Sequence, residues 1–101
     1  MKAVLTRTAV SDLADIARRI GRDSVPTARR FTAELERRAL AVGRTPRVYP
    51  YAEGLEDLEI RRRLYRGYLI FFVERGGDVQ ILRIVHGARD WKALLEETGP
   101  D

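Results

Sequence analysis

Tyr68-Leu69-Ile70-Phe71-Phe72-Val73, then Arg75-Gly76-Gly77-Asp78, then Val79-Gln80-Ile81-Leu82-Arg83-Ile84-Val85-His86, is the stretch that decides the fold. Six consecutive apolar residues, rich in aromatic and β-branched types, predict a strand buried on both faces. Paired glycines accept the positive φ of a tight hairpin, so the chain turns back at Gly76-Gly77. Asp78 to His86 is the return strand, with Val79, Ile81, Leu82, Ile84 and Val85 as core candidates. Upstream of Gly67 the period is again two. Leu58, Ile60, Arg62 and Leu64 alternate with Glu59, Arg61 and Arg63, as on a strand with one face buried. That alternation sends Arg61 and Arg63 to one face together. Downstream, Asp90 to Glu97 predicts a short helix packed on the sheet, with Asp90 as cap and Trp91 as anchor. Gly99-Pro100-Asp101 is expected to fray.

The first half of the chain has a different rhythm. Lys2 to Thr6 predicts a short first strand, with Val4 and Leu5 as buried candidates. Ala9, Val10, Leu13, Ile16, Ala17 and Ile20 then recur at three and four residues, one face of a helix that Gly21 ends. Thr8 is the candidate N-cap, and Asp12 sits early in the helix, where its charge suits the macrodipole. Asp23 or Ser24 caps a second helix, with Pro26 in its first turn and Ala28, Phe31, Leu35, Ala39 and Val42 along one face. Gly43 stops it. So short a link makes the pair an antiparallel hairpin. Arg44 to Asp57, with Pro46, Pro50, Tyr49, Tyr51 and Gly54, is a breaker-rich loop with aromatic contacts. The whole predicts an α+β fold. An N-terminal strand and an antiparallel helical hairpin pack on one face of a small antiparallel sheet, with a short C-terminal helix, as a single domain over residues 1–98.

At 101 residues the chain holds one core, and its hydrophobic content of 45% suits a globular protein. It is too short to enclose a large substrate and must act from its surface. With no cysteine there is neither a disulfide framework nor a thiolate. No apolar run approaches a signal peptide or a membrane span, so a soluble, cytoplasmic protein is expected. The net charge is +4, and seventeen of its nineteen basic residues are arginine. Arginine's planar fork suits carboxylates and phosphates, and a GC-rich genome would also favour it on solvated faces.

Ala9…Asp12-Leu13…Ile16, Pro26-Thr27-Ala28…Phe31, Leu40 followed by Pro46, Arg66-Gly67-Tyr68-Leu69-Ile70-Phe71-Phe72, and Ile81-Leu82-Arg83-Ile84-Val85-His86-Gly87-Ala88-Arg89-Asp90 follow one another in order. Together they resemble the ParE/RelE toxin superfamily of type II toxin–antitoxin pairs over nearly the whole chain. The resemblance implies a RelE/ParE-like fold and a toxin held inactive by a cognate antitoxin, whose C-terminal segment fills an apolar cleft beside the arginines. The ParE-like branch implies inhibition of DNA gyrase by binding, without cofactor or catalysis. The RelE-like branch implies a ribosome-dependent endoribonuclease that cuts messenger RNA. A third alternative is an inactive module that only binds its antitoxin.

A nuclease needs an acid or base near the ribose 2′-OH and cations around the scissile phosphate. Its candidates here are His86, Arg61, Arg63, Arg83 and Arg89. His86 also reads as a strand-end residue hydrogen-bonded locally, and Arg89 as the partner of a helix carboxylate. In the last strand His86 shares a parity with Ile84, Leu82 and Gln80, and Arg83 with Val79, Ile81 and Val85, so neither face is a clean polar cluster. RelE-like nucleases imply further lysines and often a tyrosine or paired histidine near the C-terminus. After His86 this chain has no tyrosine and only Lys92, which favours the ParE-like branch. Arg61, Arg63, Arg83, Arg89 and Trp91 are then candidates for binding the target or the antitoxin. A single histidine without cysteine gives no metal-ligand spacing.

Overall fold

The computed structural model describes residues 1–98; the expected fraying of 99–101 lies outside them. Its centre is the hairpin of β3 (Tyr68–Arg75) and β4 (Asp78–His86). Tyr68 to Val73 are all buried, and Arg75 pairs with Asp78 across Gly76 and Gly77, whose φ angles are 62° and 84°. Both values demand glycine-like freedom, which is why this sequence turns here. β2 (Arg61–Tyr65) pairs antiparallel with β3, and β1 (Ala3–Leu5) pairs parallel with β4, in the order β1-β4-β3-β2. The sheet is therefore mixed and not wholly antiparallel. The two helices and the long loop carry the chain from β1 to the start of β2, so β1 runs parallel to β2 and, after the turn through β3, to its neighbour β4.

Those helices are α1 (Arg7–Gly21) and α2 (Val25–Ala41). The cap of α1 is Thr6 and not Thr8. Thr6 is still held by the sheet, its N–H donating to the Ile81 carbonyl at 3.1 Å, so the helix starts as soon as the strand ends. Its Oγ1 accepts from Ala9 N–H at 3.2 Å and donates to the Ile81 carbonyl at 2.8 Å. Ser24 caps α2 by accepting from Thr27 N–H at 3.3 Å, with Pro26 in the first turn. After Ala41 the chain tightens into a 3₁₀ turn, Val42–Arg44. Gly43 lies there so close to β1 that a Cβ would meet the Met1 carbonyl oxygen at 2.6 Å.

Leu13, Ile16, Leu35, Ala39 and Val42 close one face of the sheet over Ile70, Phe72, Val79, Ile81 and Ile84. The other face is not bare. Ala52, Leu55 and Ile60 from the long loop, and Leu95 from α3 (Trp91–Thr98), cover Leu69, Phe71, Leu82 and Val85. The chain thus covers both faces of its own sheet, and the apolar cleft expected beside the arginines is not on either of them.

β4 carries the main departure from simple alternation. Arg83 pairs with Phe71 and Ile81 with Phe72, so Leu82 is an extra residue, a β-bulge. Beyond it the parity switches: Ile84 faces the helices with Val79 and Ile81, and Val85 joins Leu82 on the far side. Other expected core positions are exposed. Val4 pairs with Gln80, on the side of β1 that the loop and α3 do not reach. Leu64 pairs with Leu69 on that same far side, and is left open at the edge. Leu58 sits in a 3₁₀ turn, Glu56–Leu58, before β2 begins. Val10 and Leu40 lie outside the buried stripes of their helices.

Candidate functional site

Arg83 is spoken for within the fold. Asp12, mid-way along the buried stripe of α1, accepts its Nε at 2.8 Å and Nη2 at 2.9 Å, and also takes Ile84 N–H at 2.9 Å. Side-chain exposures of 13% and 9% make this a buried, bidentate pair. It clamps α1 onto the bulge. The macrodipole role expected for Asp12 gives way to this one, because a carboxylate on the sheet-facing side of α1 needs a cation and donors.

Arg61 and Arg63 do share a face of β2, the one turned to the helices. Their half-buried stems lie against tyrosines from the loop. The Arg61 guanidinium sits 4.1 Å from the Tyr51 ring and donates to the Tyr49 carbonyl at 2.6 Å. Arg63 sits 5.5 Å from the Tyr49 ring and donates to the Arg38 carbonyl at 2.9 Å, satisfying a carbonyl in the last turn of α2. Arg47 forks onto Glu74 at 3.1 and 3.2 Å beside them, and that contact holds the Glu74 carboxyl below its ordinary range.

His86 ends β4. Its Nδ1 accepts from Ala88 N–H at 3.2 Å, and its ring meets Tyr68 edge-on at 5.3 Å. The bulge puts it on the helix-facing side, with Ile84 and not with Leu82. β3 lies between it and the arginines of β2, so the five nuclease candidates do not converge. Arg89 is exposed and forms no salt bridge among the described residues, so the expected helix carboxylate is not its partner. Asp90 accepts from Ala93 N–H at 3.4 Å as the cap of α3. Trp91 packs on Phe71 with the rings tilted and their centroids 5.1 Å apart, which seats α3 on the far face.

Two open surfaces were not singled out in the sequence. A groove of about 470 Å³ runs beside β1, lined by Val4, Leu5, Thr6, Arg7, Arg75, Asp78 and Gln80. A second, of about 350 Å³, lies where α2 meets the β2–β3 turn, lined by Thr27, Arg30, Phe31, Glu34, Tyr65 and Arg66. Glu34 there is bound by Arg37 and Arg38, which hold its carboxyl below the usual range.

A family model described as "ParE toxin of type II toxin-antitoxin system, parDE" matches residues 3–91, from the first residue of β1 to the first of α3. The chain belongs to the ParE toxin family. No curated protein matches it. Membership makes it the toxin of a type II pair and implies an antitoxin partner. On this ParE toxin the groove beside β1 has a mixed lining, apolar at Val4 and Leu5 and polar at Thr6, Arg7, Arg75, Asp78 and Gln80. It lies at the sheet's edge because the chain covers both sheet faces itself. No helix among the described residues is long and apolar enough to cross a membrane.

Proposed function

We propose that this ParE toxin acts by binding DNA gyrase and trapping it on cleaved DNA, with no chemistry of its own, until its antitoxin displaces or masks it. The observation that carries the proposal is the dispersal of the nuclease candidates. Arg83 is closed on Asp12, Arg61 and Arg63 are turned onto tyrosines and backbone carbonyls, and His86 stands two strands away from them. General acid–base catalysis needs those groups around one phosphate. Arg89 lies in the exposed segment between β4 and α3 and Trp91 directly follows it, and we assign both to partner contact together with the accessible edges of Arg61 and Arg63. Arg83 contributes by holding α1 on the bulge. The antitoxin segment is placed in the groove beside β1, where Val4 is 44% exposed.

Induced expression in growing bacteria, with a DNA-damage reporter and a translation reporter read in the same culture, tests this. DNA-damage signalling should rise before translation falls, and His86→Ala should remain toxic. Immediate translation arrest that His86→Ala or Arg61→Ala abolishes would return the RelE-like ribonuclease reading.

A further inference from the structure

The pocket between α2 and the β2–β3 turn has a feature that folding alone does not call for. Arg66 occupies the first position of a two-residue turn with φ 48°, followed by Gly67 at 84°. That position favours glycine, asparagine or aspartate, and a long side chain there is held at a cost. Its guanidinium lies 5.8 Å from the Tyr65 ring, and Arg38 lies 5.2 Å from the same ring. Phe31 packs on Tyr65 at 6.5 Å and on Tyr68 at 5.5 Å, so the platform under these cations is stiff. A guanidinium held against a ring loses little freedom when its N–H edge meets an oxyanion.

The charges around this platform are one-sided. Glu34, the one carboxylate lining the pocket, is already committed to Arg37 and Arg38. Arg30 makes one long contact, 3.4 Å to Thr27 Oγ1, and keeps its other donors. From Arg30 to Arg37 the exposed face of α2 runs about 10 Å, so the cations form a strip and not a point. Tyr65 is already contacted by Phe31, Arg38 and Arg66, which leaves little for a stacked base or an inserted apolar side chain. What remains on offer is the forks of Arg66 and Arg30, with the edges of Arg37 and Arg38 that Glu34 does not take.

We propose that this strip, centred on Arg66 and Arg30, binds the phosphate backbone of duplex DNA. The inference deepens the gyrase reading and rests on it, since a toxin seated on gyrase's cleaved complex stands beside duplex DNA. Arg66 is held against its backbone preference because its fork meets a phosphate there.

Anisotropy of a labelled 20-base-pair duplex, titrated with the purified toxin at several salt concentrations, tests the site directly. Arg66→Gly should weaken binding roughly five- to tenfold and lower the salt slope by about 0.9, the release of one phosphate contact. Glycine suits the turn better, so the same variant should melt no lower than wild type. Arg30→Ala should behave likewise in binding. Arg44→Ala, which removes the same charge beyond the far, C-terminal end of α2, should bind as wild type. Unchanged binding by Arg66→Gly, equal loss in Arg44→Ala, or preferential capture of a polyglutamate peptide over DNA would overturn the proposal. In a gyrase cleavage assay the two ideas separate. Poisoning that Arg66→Gly leaves intact removes the DNA contact and spares the gyrase target. DNA binding sensitive to Arg66→Gly, in a toxin without effect on gyrase, removes the target and keeps the strip.

Discussion

At the scale of single residues, the arginines divide by what their forks touch. Arg83 is structural: removing Asp12 would take the bidentate carboxylate from a buried guanidinium and the side-chain acceptor from the Ile84 N–H. Asp12→Ala should cost about 3–5 kcal/mol, read as a lower urea midpoint at unchanged slope. Thr6→Ala removes a helix cap together with a buried hydroxyl bonded to Ile81, and should cost about 1–2 kcal/mol by the same measurement. Neither role was legible in the sequence. Asp12 reads as an ordinary early-helix acid because its partner is 71 residues away. The bulge that brings Arg83 to it leaves no mark in the alternation of β4. The local signals fared better: Ser24 and Asp90 cap the helices they precede, and Gly76-Gly77 turns where two glycines must.

At the scale of elements, the order strand, helical hairpin, loop, meander and short helix followed from periodicity. The parallel seat of β1 did not, because strand order is decided by which surfaces the whole chain can cover. Leu58 is exposed because it lies in the 3₁₀ turn Glu56–Leu58 ahead of β2, whereas Val4 and Leu64 meet the same limit of cover. Their alternation is real, but the loop and α3 stop short of them, and burial is a property of the cover and not of the strand. Gly43 marks where α2's end presses on β1. Gly43→Ala should destabilise by about 1–3 kcal/mol, since a Cβ has a backbone oxygen at 2.6 Å and cannot shift it cheaply. α3 depends on the contact of Trp91 with Phe71. Trp91→Ala should lower helical circular dichroism and thermal midpoint while leaving the sheet folded. A variant as helical and stable as wild type would show that α3 is seated by other contacts.

At the scale of the whole molecule, seventeen arginines serve two ends. Some bind the chain to itself through tyrosines, carboxylates and helix carbonyls; others, at the ends of the sheet and along α2, face outward. Two carboxyls held low, Glu34 by Arg37 and Arg38 and Glu74 by Arg47, contribute to the acid response. A folded value below the ordinary 4.5 means that their contribution is fully present above that pH and fades as pH falls through the lower folded values. Urea midpoints should therefore hold steady from neutral pH down to the ordinary carboxylate range and fall below it. The fall should be shallow and reduced by salt, because both pairs are exposed.

The family assignment makes the chain a toxin; the target is the claim most worth attacking. Purified toxin should be incubated with gyrase, supercoiled DNA and ATP, and the DNA resolved after protein digestion. Gyrase-dependent linear DNA should accumulate with toxin dose, equally in wild type and His86→Ala. Supercoiling and cleavage left unchanged at high molar excess would contradict the account.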